Sequence, residues 1–92
     1  MGSLHPALKI RVTPHFERAF QKLSRQLQEL ATERDLVFRG NPFDARLKTH
    51  ALKGRLKGLW SYSVDRRRRI LFEFLQANEV LYHDIGSHDI YR

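Results

Sequence analysis

The residues best suited to chemistry in this 92-residue chain are its basic side chains. Residues 46–69 hold nine Lys and Arg and one acid, Asp65, a net charge of +8; the whole chain carries +7, so the remainder nets −1. Arginine presents a planar fork of donors that matches phosphate oxygens. The segment therefore predicts a phosphate-binding surface, for which nucleic acid, an acidic protein and an anionic membrane are the candidate partners. A solvated basic loop is the plain alternative.

Histidine is the other reactive residue type, because it titrates near pH ~6.5 and can act as acid or base. The chain has five: His5, His15, His50, His83 and His88. It has no Cys, which excludes disulfides, thiol catalysis and Cys-based zinc sites. No His–x₃–His pair, HExxH, glycine-rich phosphate loop or nucleophile elbow is present. We therefore expect neither a metal nor another cofactor.

Hydrophobic periodicity predicts the elements that position these residues. Residues 8–12 alternate as a strand, Thr13-Pro14 is a typical helix start, and apolar residues at spacings of three and four predict a helical hairpin or a kinked helix over 14–39. Gly40-Asn41-Pro42 ends it. A basic loop then covers 40–58, and strands are predicted over 59–64, 68–75 and 80–85. This order predicts one α+β domain over residues 1–92: an N-terminal strand, a helical hairpin and a three-stranded antiparallel meander forming one twisted sheet.

Strand alternation also assigns faces to the side chains. Trp60, Tyr62 and Val64 share a face that we expect in the core, as do Ile70, Phe72 and Phe74 with Arg68. If residues 66–74 are extended, Arg67 and Arg69 face the open side of the sheet. No apolar run approaches the ~20 residues of a membrane helix, and residues 1–6 lack a signal-peptide pattern. We therefore expect a cytoplasmic protein.

Three blocks of the chain closely resemble toxins of the RelE/ParE superfamily, particularly the YafQ-like branch. They are LKTHALKGRLKGLWSYSV (47–64), RRRRILFEF (66–74) and VLYHDIGSHDIYR (80–92). The resemblance implies a twisted antiparallel sheet with two N-terminal helices. It also implies a metal-independent mRNA interferase, which cleaves mRNA in the ribosomal A site by driving the RNA 2′-hydroxyl onto the adjacent phosphorus.

The resemblance assigns roles to particular residues. It makes His50 a base or phosphate ligand, Arg69 the ligand of the scissile phosphate and His88 the general acid; Tyr91 would stack on a base or join proton transfer. Ser63 and Arg67 stand where YafQ-like proteins carry a His and a catalytic Asp, so Arg67 brings the site closer to the arginine-rich RelE arrangement. The predicted contacts to the RNA backbone are Lys48, Lys53, Arg55, Lys57 and Arg66.

The remaining charged residues receive structural interpretations. We expect Asp65 and Asp84 in a turn or solvated, with orientation of a His or Arg as the alternative. We expect His83 to be structural, and His5 and His15 to have no role in the site.

The resemblance also implies partners, namely an acidic antitoxin, mRNA and the ribosome with its 16S rRNA, and operator DNA only through the antitoxin. No membrane partner is predicted. Two other functions stay open. A ParE-like protein with this fold poisons DNA gyrase without being an enzyme. A catalytically weakened toxin would act mainly as an antitoxin-binding co-repressor, which the changes at Ser63 and Arg67 allow.

Overall fold

Two helices pack on one face of a five-stranded mixed sheet. The computed structural model describes residues 8–91, with the side chains of His88 and Asp89 outside the described part. The strands are β1 (Lys9–Val12), β2 (His50–Ala51), β3 (Trp60–Ser63), β4 (Arg69–Phe74) and β5 (Glu79–Gly86), and the helices are α1 (Pro14–Gln21) and α2 (Arg25–Gly40). The predicted α+β architecture is confirmed, with strand ends within one residue of the predicted ones.

The helical region forms two helices because it contains two capping residues. Thr13 Oγ1 accepts the N–H of Phe16 at 3.0 Å, and Pro14 occupies the first turn of α1. Ser24 Oγ accepts the N–H of Leu27 at 3.2 Å and starts α2. Of the two predicted alternatives, a helical hairpin is therefore correct. No helix within residues 8–91 is long and apolar enough to cross a membrane.

The strand order in the sheet is β1-β5-β4-β3-β2. β1 pairs parallel to β5, and all other pairs are antiparallel. The predicted meander is therefore present as β3, β4 and β5. The loop predicted over 40–58 is not a simple loop, because His50–Ala51 pairs with β3 as a fifth strand. Two residues carry no periodicity by which that strand could have been found.

The core lies between the helices and the inner face of the sheet. Phe38 of α2 is fully buried at its centre, with its ring centroid 4.6 Å from that of Tyr62, 4.9 Å from Phe72 and 5.9 Å from Tyr82. These distances suit offset and edge-to-face aromatic contacts. The predicted inner faces of β3 and β4 are confirmed for the buried Tyr62, Val64, Ile70 and Phe72. Trp60 and Phe74 are half-buried against the same core, whereas Arg68 lies in the turn before β4.

A chain of hydrogen bonds joins α2 to the sheet inside this core. The hydroxyls of Tyr62 and Tyr82 lie 2.8 Å apart, and Tyr82 donates to Asp35 Oδ1 at 2.7 Å. Arg39 Nε donates to Asp35 Oδ2 at 2.8 Å and balances its charge. Burial, followed by the neighbouring Tyr62 and Asp35, raises the pKa of Tyr82, so its hydroxyl stays protonated as the donor. These bonds satisfy the polar atoms that the aromatic core buries.

We expect Phe38→Ala to lower the free energy of unfolding by about 3–5 kcal/mol, because it removes the ring that three sheet aromatics contact. Urea unfolding followed by circular dichroism measures the loss. Leu36→Ala on the same helix is the control, since Leu36 is 66% exposed and its loss should cost no more than about 0.5 kcal/mol. Equal losses for the two variants would contradict the central position of Phe38.

Candidate active site

The outer face of the sheet, away from the helices, carries the polar side chains of β3. Ser61 and Ser63 alternate there with the inward Trp60 and Tyr62, and the register places His50 opposite Ser61 and Arg69 opposite Ser63. Directly paired residues project to the same face with Cβ atoms about 5 Å apart, and alternate residues of a strand lie about 7 Å apart. The sheet therefore brings His50 and Arg69, which are 19 positions apart in the sequence, onto one small area.

The exposed His50 has its ring oriented by the chain before β2. Its Nδ1 lies 2.9 Å from the backbone carbonyl oxygen of Lys48. A carbonyl oxygen only accepts, so Nδ1 carries the proton and Nε2 of the neutral imidazole keeps its lone pair. Lys48 takes a left-handed conformation with φ of 52°, where the preceding turn ends. This arrangement suits His50 to take up a proton at Nε2.

Arg69 begins β4 and is held by the neighbouring strand. Its NH1 donates to Ser63 Oγ at 2.7 Å. A guanidinium has five N–H donors, so one bond to Ser63 fixes the group while others stay available for a phosphate. Ser63 thus orients the arginine.

A 3-10 turn, His88–Tyr91, folds over the outer face after β5. The Tyr91 hydroxyl lies 2.7 Å from Ser61 Oγ, and because β4 separates β5 from β3, the turn must cross β4 to make this bond. Beneath it Ser61 is 0% exposed and Leu71 is 6% exposed, although both face away from the helices. The turn therefore brings Tyr91 beside the residue that pairs with His50.

Gly86, at the end of β5, provides the space in which this turn lies. It pairs with Arg69 across the sheet, and a Cβ added to it would come within 2.7 Å of Ile90 Cγ2. The glycine is needed for close approach of Ile90, which packs directly against its backbone. The same turn begins at His88, but that side chain lies outside the described residues, and its role as general acid stays a prediction.

The turn between β3 and β4 corrects the predicted placement of Arg67. The outward position predicted for Arg67 depended on an extended chain over residues 66–74, and that condition is not met, because β4 begins only at Arg69 and residues 64–68 form a turn. The cause is Asp65, whose Oδ1 accepts the N–H groups of Arg67 and Arg68 at 2.9 and 2.7 Å. Burial alone would raise the pKa of Asp65, but these backbone hydrogen bonds outweigh it and hold that pKa below its ordinary value.

Six exposed basic residues of the segment 46–69 form two clusters at opposite ends of β3. The first basic cluster lies in the connection from β2 to β3 and consists of Lys53, Arg55 and Lys57. The second lies at the Ser63 end and consists of Lys48, Arg66 and Arg67. Lys48 reaches this end because β2 runs antiparallel to β3, with His50 opposite Ser61. None of the six forms an ion pair with a carboxylate that the structure describes.

Arg46 belongs to the same basic segment but is already paired. Its Nε and NH2 donate to the two carboxylate oxygens of Asp44, both at 2.9 Å. The side-chain bond from Arg46 lowers the pKa of Asp44 to about 2. This pairing shows why the net charge of the segment overstates the cations that can bind phosphate.

Two further histidines pair with carboxylates on β4 and β5. His83 Nε2 lies 3.0 Å from Glu73 Oε1, which fits its predicted structural role. His15 Nε2 lies 3.1 Å from Asp84 Oδ2, a contact that sequence spacing could not reveal because the residues are 69 positions apart. Among the side chains that the structure describes, which leave out His88 and Asp89, no three His, Cys, Asp or Glu meet as metal ligands.

Comparison of the fold with solved structures finds bacterial toxins. The YoeB/ParE toxin from Agrobacterium tumefaciens superposes with a TM-score of 0.76 at 18% identity, covering 88% of this chain and 99% of the other. YafQ from Escherichia coli gives 0.75 at 14%, covering 91% and 97%. The toxin–antitoxin complex RelBE2 from Mycobacterium tuberculosis gives 0.76 at 18%, covering 89% and 99%. No protein-family profile and no curated protein sequence matches the chain. The predicted RelE-like fold is confirmed by these likenesses.

We expect Gly86→Ala to displace the C-terminal turn, because its methyl group would collide with Ile90. Overpacking of this kind costs about 1–3 kcal/mol, and the displaced turn should expose Leu71 and Ser61. Amide hydrogen exchange along β4 measures the effect. Gly40→Ala is the matched control, since a Cβ at Gly40 meets no atom within 4 Å. Unchanged exchange at Leu71 in Gly86→Ala would contradict this packing.

Proposed function

We propose that the chain is the toxin of a toxin–antitoxin pair and that it cleaves mRNA on the ribosome without a metal ion. The fold it shares with YoeB-, YafQ- and RelE-type toxins supports the toxin role. The observation that carries the enzymatic part is the convergence of His50, Arg69 and Tyr91 on one face of the sheet. Gyrase poisoning would not require that a proton acceptor, a phosphate ligand and a phenol lie together.

The proposed reaction uses the RNA's own 2′-hydroxyl as the nucleophile. His50 takes the 2′-proton at Nε2, and the 2′-oxygen forms a bond to the adjacent phosphorus. Arg69 stabilises the charge that develops on the phosphate oxygens. The bond from phosphorus to the 5′-oxygen breaks, and His88 protonates that oxygen. The products are a 2′,3′-cyclic phosphate and a free 5′-hydroxyl.

The two basic clusters give the RNA a direction across the protein. β3 has four residues and spans about 13 Å, with Lys53, Arg55 and Lys57 beyond one end and Lys48, Arg66 and Arg67 beyond the other. A strand laid along β3 would contact both clusters and place the scissile phosphate between them, near Arg69. Such contacts position the backbone without reading its sequence.

The same face suits an acidic antitoxin. The RelBE2 neighbour is a toxin–antitoxin complex, and an acidic segment that folds over the two basic clusters would neutralise them and cover the site. We place the pair in the cytoplasm, where mRNA and ribosomes meet, and we expect operator DNA to be contacted through the antitoxin only.

Induction of the protein in a bacterial host, followed by mapping of mRNA 5′ ends, tests the function. We expect new ends at codon-phased positions only while translation runs. His50→Gln should lower the cleavage rate by roughly 100-fold or more, because it removes the proton acceptor. His15→Gln is the matched control and should cleave as the wild type does.

Three outcomes would count against this assignment. Equal cleavage by His50→Gln and wild type would remove His50 from the chemistry. Supercoiling defects without cuts would favour the gyrase alternative. Antitoxin binding without growth arrest would favour the co-repressor.

A second prediction concerns the two basic clusters. Lys53→Ala and Arg66→Ala should each lower the log–log salt slope of binding to a single-stranded RNA by about 0.7, since each removes one phosphate contact. Fluorescence anisotropy over a range of salt concentrations measures the slope. Lys22→Ala on the helix layer is the control and should leave it unchanged. If only one cluster alters the slope, the RNA does not run along β3.

A further inference from the structure

We propose that Ser61 is a positioning residue that holds the Tyr91 hydroxyl in the active site. The inference rests on the proposed ribonuclease activity, which assigned no role to Ser61. The carrying observation is the 2.7 Å contact between Ser61 Oγ and the Tyr91 hydroxyl, made across an entire intervening strand.

The position of Ser61 makes it suited to this role. It is the middle of the outer face, paired with His50 on one side and with Leu71 on the other. It lies on a four-residue strand held between two neighbours, so its Oγ is a fixed point. The phenol that reaches it is therefore bonded to the residue that lies directly opposite His50, whose Cβ is about 5 Å away across the strand pair.

Burial strengthens the contact. Ser61 is 0% exposed, and none of the buried side-chain nitrogen or oxygen atoms in the described residues lacks a hydrogen-bond partner. A buried hydroxyl without a hydrogen-bond partner lowers the stability of the fold. The hydrogen bond between Ser61 and Tyr91 therefore stabilises each side chain in its observed position. The two serines of β3 thus act alike, since Ser63 orients Arg69 as Ser61 orients Tyr91.

A double-mutant cycle on programmed ribosomes tests the inference. The variants are Ser61→Ala, Tyr91→Phe and the double variant, and the readout is the single-turnover rate of mRNA cleavage at saturating protein together with the half-saturating concentration. Ser24→Ala is the matched control, because it removes a serine hydroxyl that caps α2 in the helix layer on the other side of the sheet. It destabilises the fold without touching the site.

We expect Ser61→Ala to lower the saturated rate by roughly ten- to a hundredfold through misplacement of the phenol, with the half-saturating concentration within about twofold. Tyr91→Phe should lower the rate at least as much, and the double variant should be no slower than Tyr91→Phe alone, as coupled groups require. Ser24→Ala should keep the wild-type rate. Additive losses, or a wild-type rate in either single variant, would overturn the assignment.

The proposed function and this inference fail in different ways. A wild-type protein that leaves mRNA uncut contradicts the function. Whether Ser61 stabilises the C-terminal turn is then measured by hydrogen exchange at the Ile90 amide. This amide donates to the Ser87 carbonyl within the turn at 3.0 Å. That exchange should accelerate in Ser61→Ala and stay unchanged in Ser24→Ala. Equal exchange in both variants would show that Ser61 does not hold the turn.

Discussion

Backbone hydrogen bonds between β3 and β4 hold Tyr62 opposite Ile70 and Ser63 opposite Arg69. The first pair faces the helices and the second faces outward. Because side chains alternate along a strand, a slip of one residue would exchange the faces. Tyr62 would leave the aromatic cluster around Phe38, and the serines that orient Arg69 and Tyr91 would point into the core. One pairing register therefore maintains both the hydrophobic core and the candidate site.

Features that repeat along the sequence could be predicted, and features that depend on contacts between distant residues could not. Alternation in 60–64 and 70–74 identified the inner faces, and the capping residues Thr13 and Ser24 mark where the helices begin. Four consecutive arginines show no alternation, so the sequence could not decide whether Arg67 lies in an extended segment with Arg69 or in the turn before β4. The turn is set by one side chain, Asp65, which accepts two backbone N–H groups.

The candidate site shows the same limit. Residue type and resemblance indicated His50, Arg69 and Tyr91, and the fold brings these three to one face. Ser61 was missed because a serine 30 positions from Tyr91 carries no local signal. The space above Gly86 was missed as well, since only the packing of Ile90 reveals why that position lacks a side chain. Ser63 was interpreted only as a lost proton-transfer group, and the fold shows in addition that its hydroxyl holds the arginine.

The separation of the two basic clusters by the length of β3 has an electrostatic consequence for the protein on its own. About 13 Å of strand exceeds the Debye length of about 8 Å at physiological salt. The mutual repulsion of the clusters is therefore largely screened, and a segment with a net charge of +8 can belong to a stable fold. A flexible polyanion long enough to span β3 would meet both clusters, and its second contact would form at the high effective concentration that the first provides.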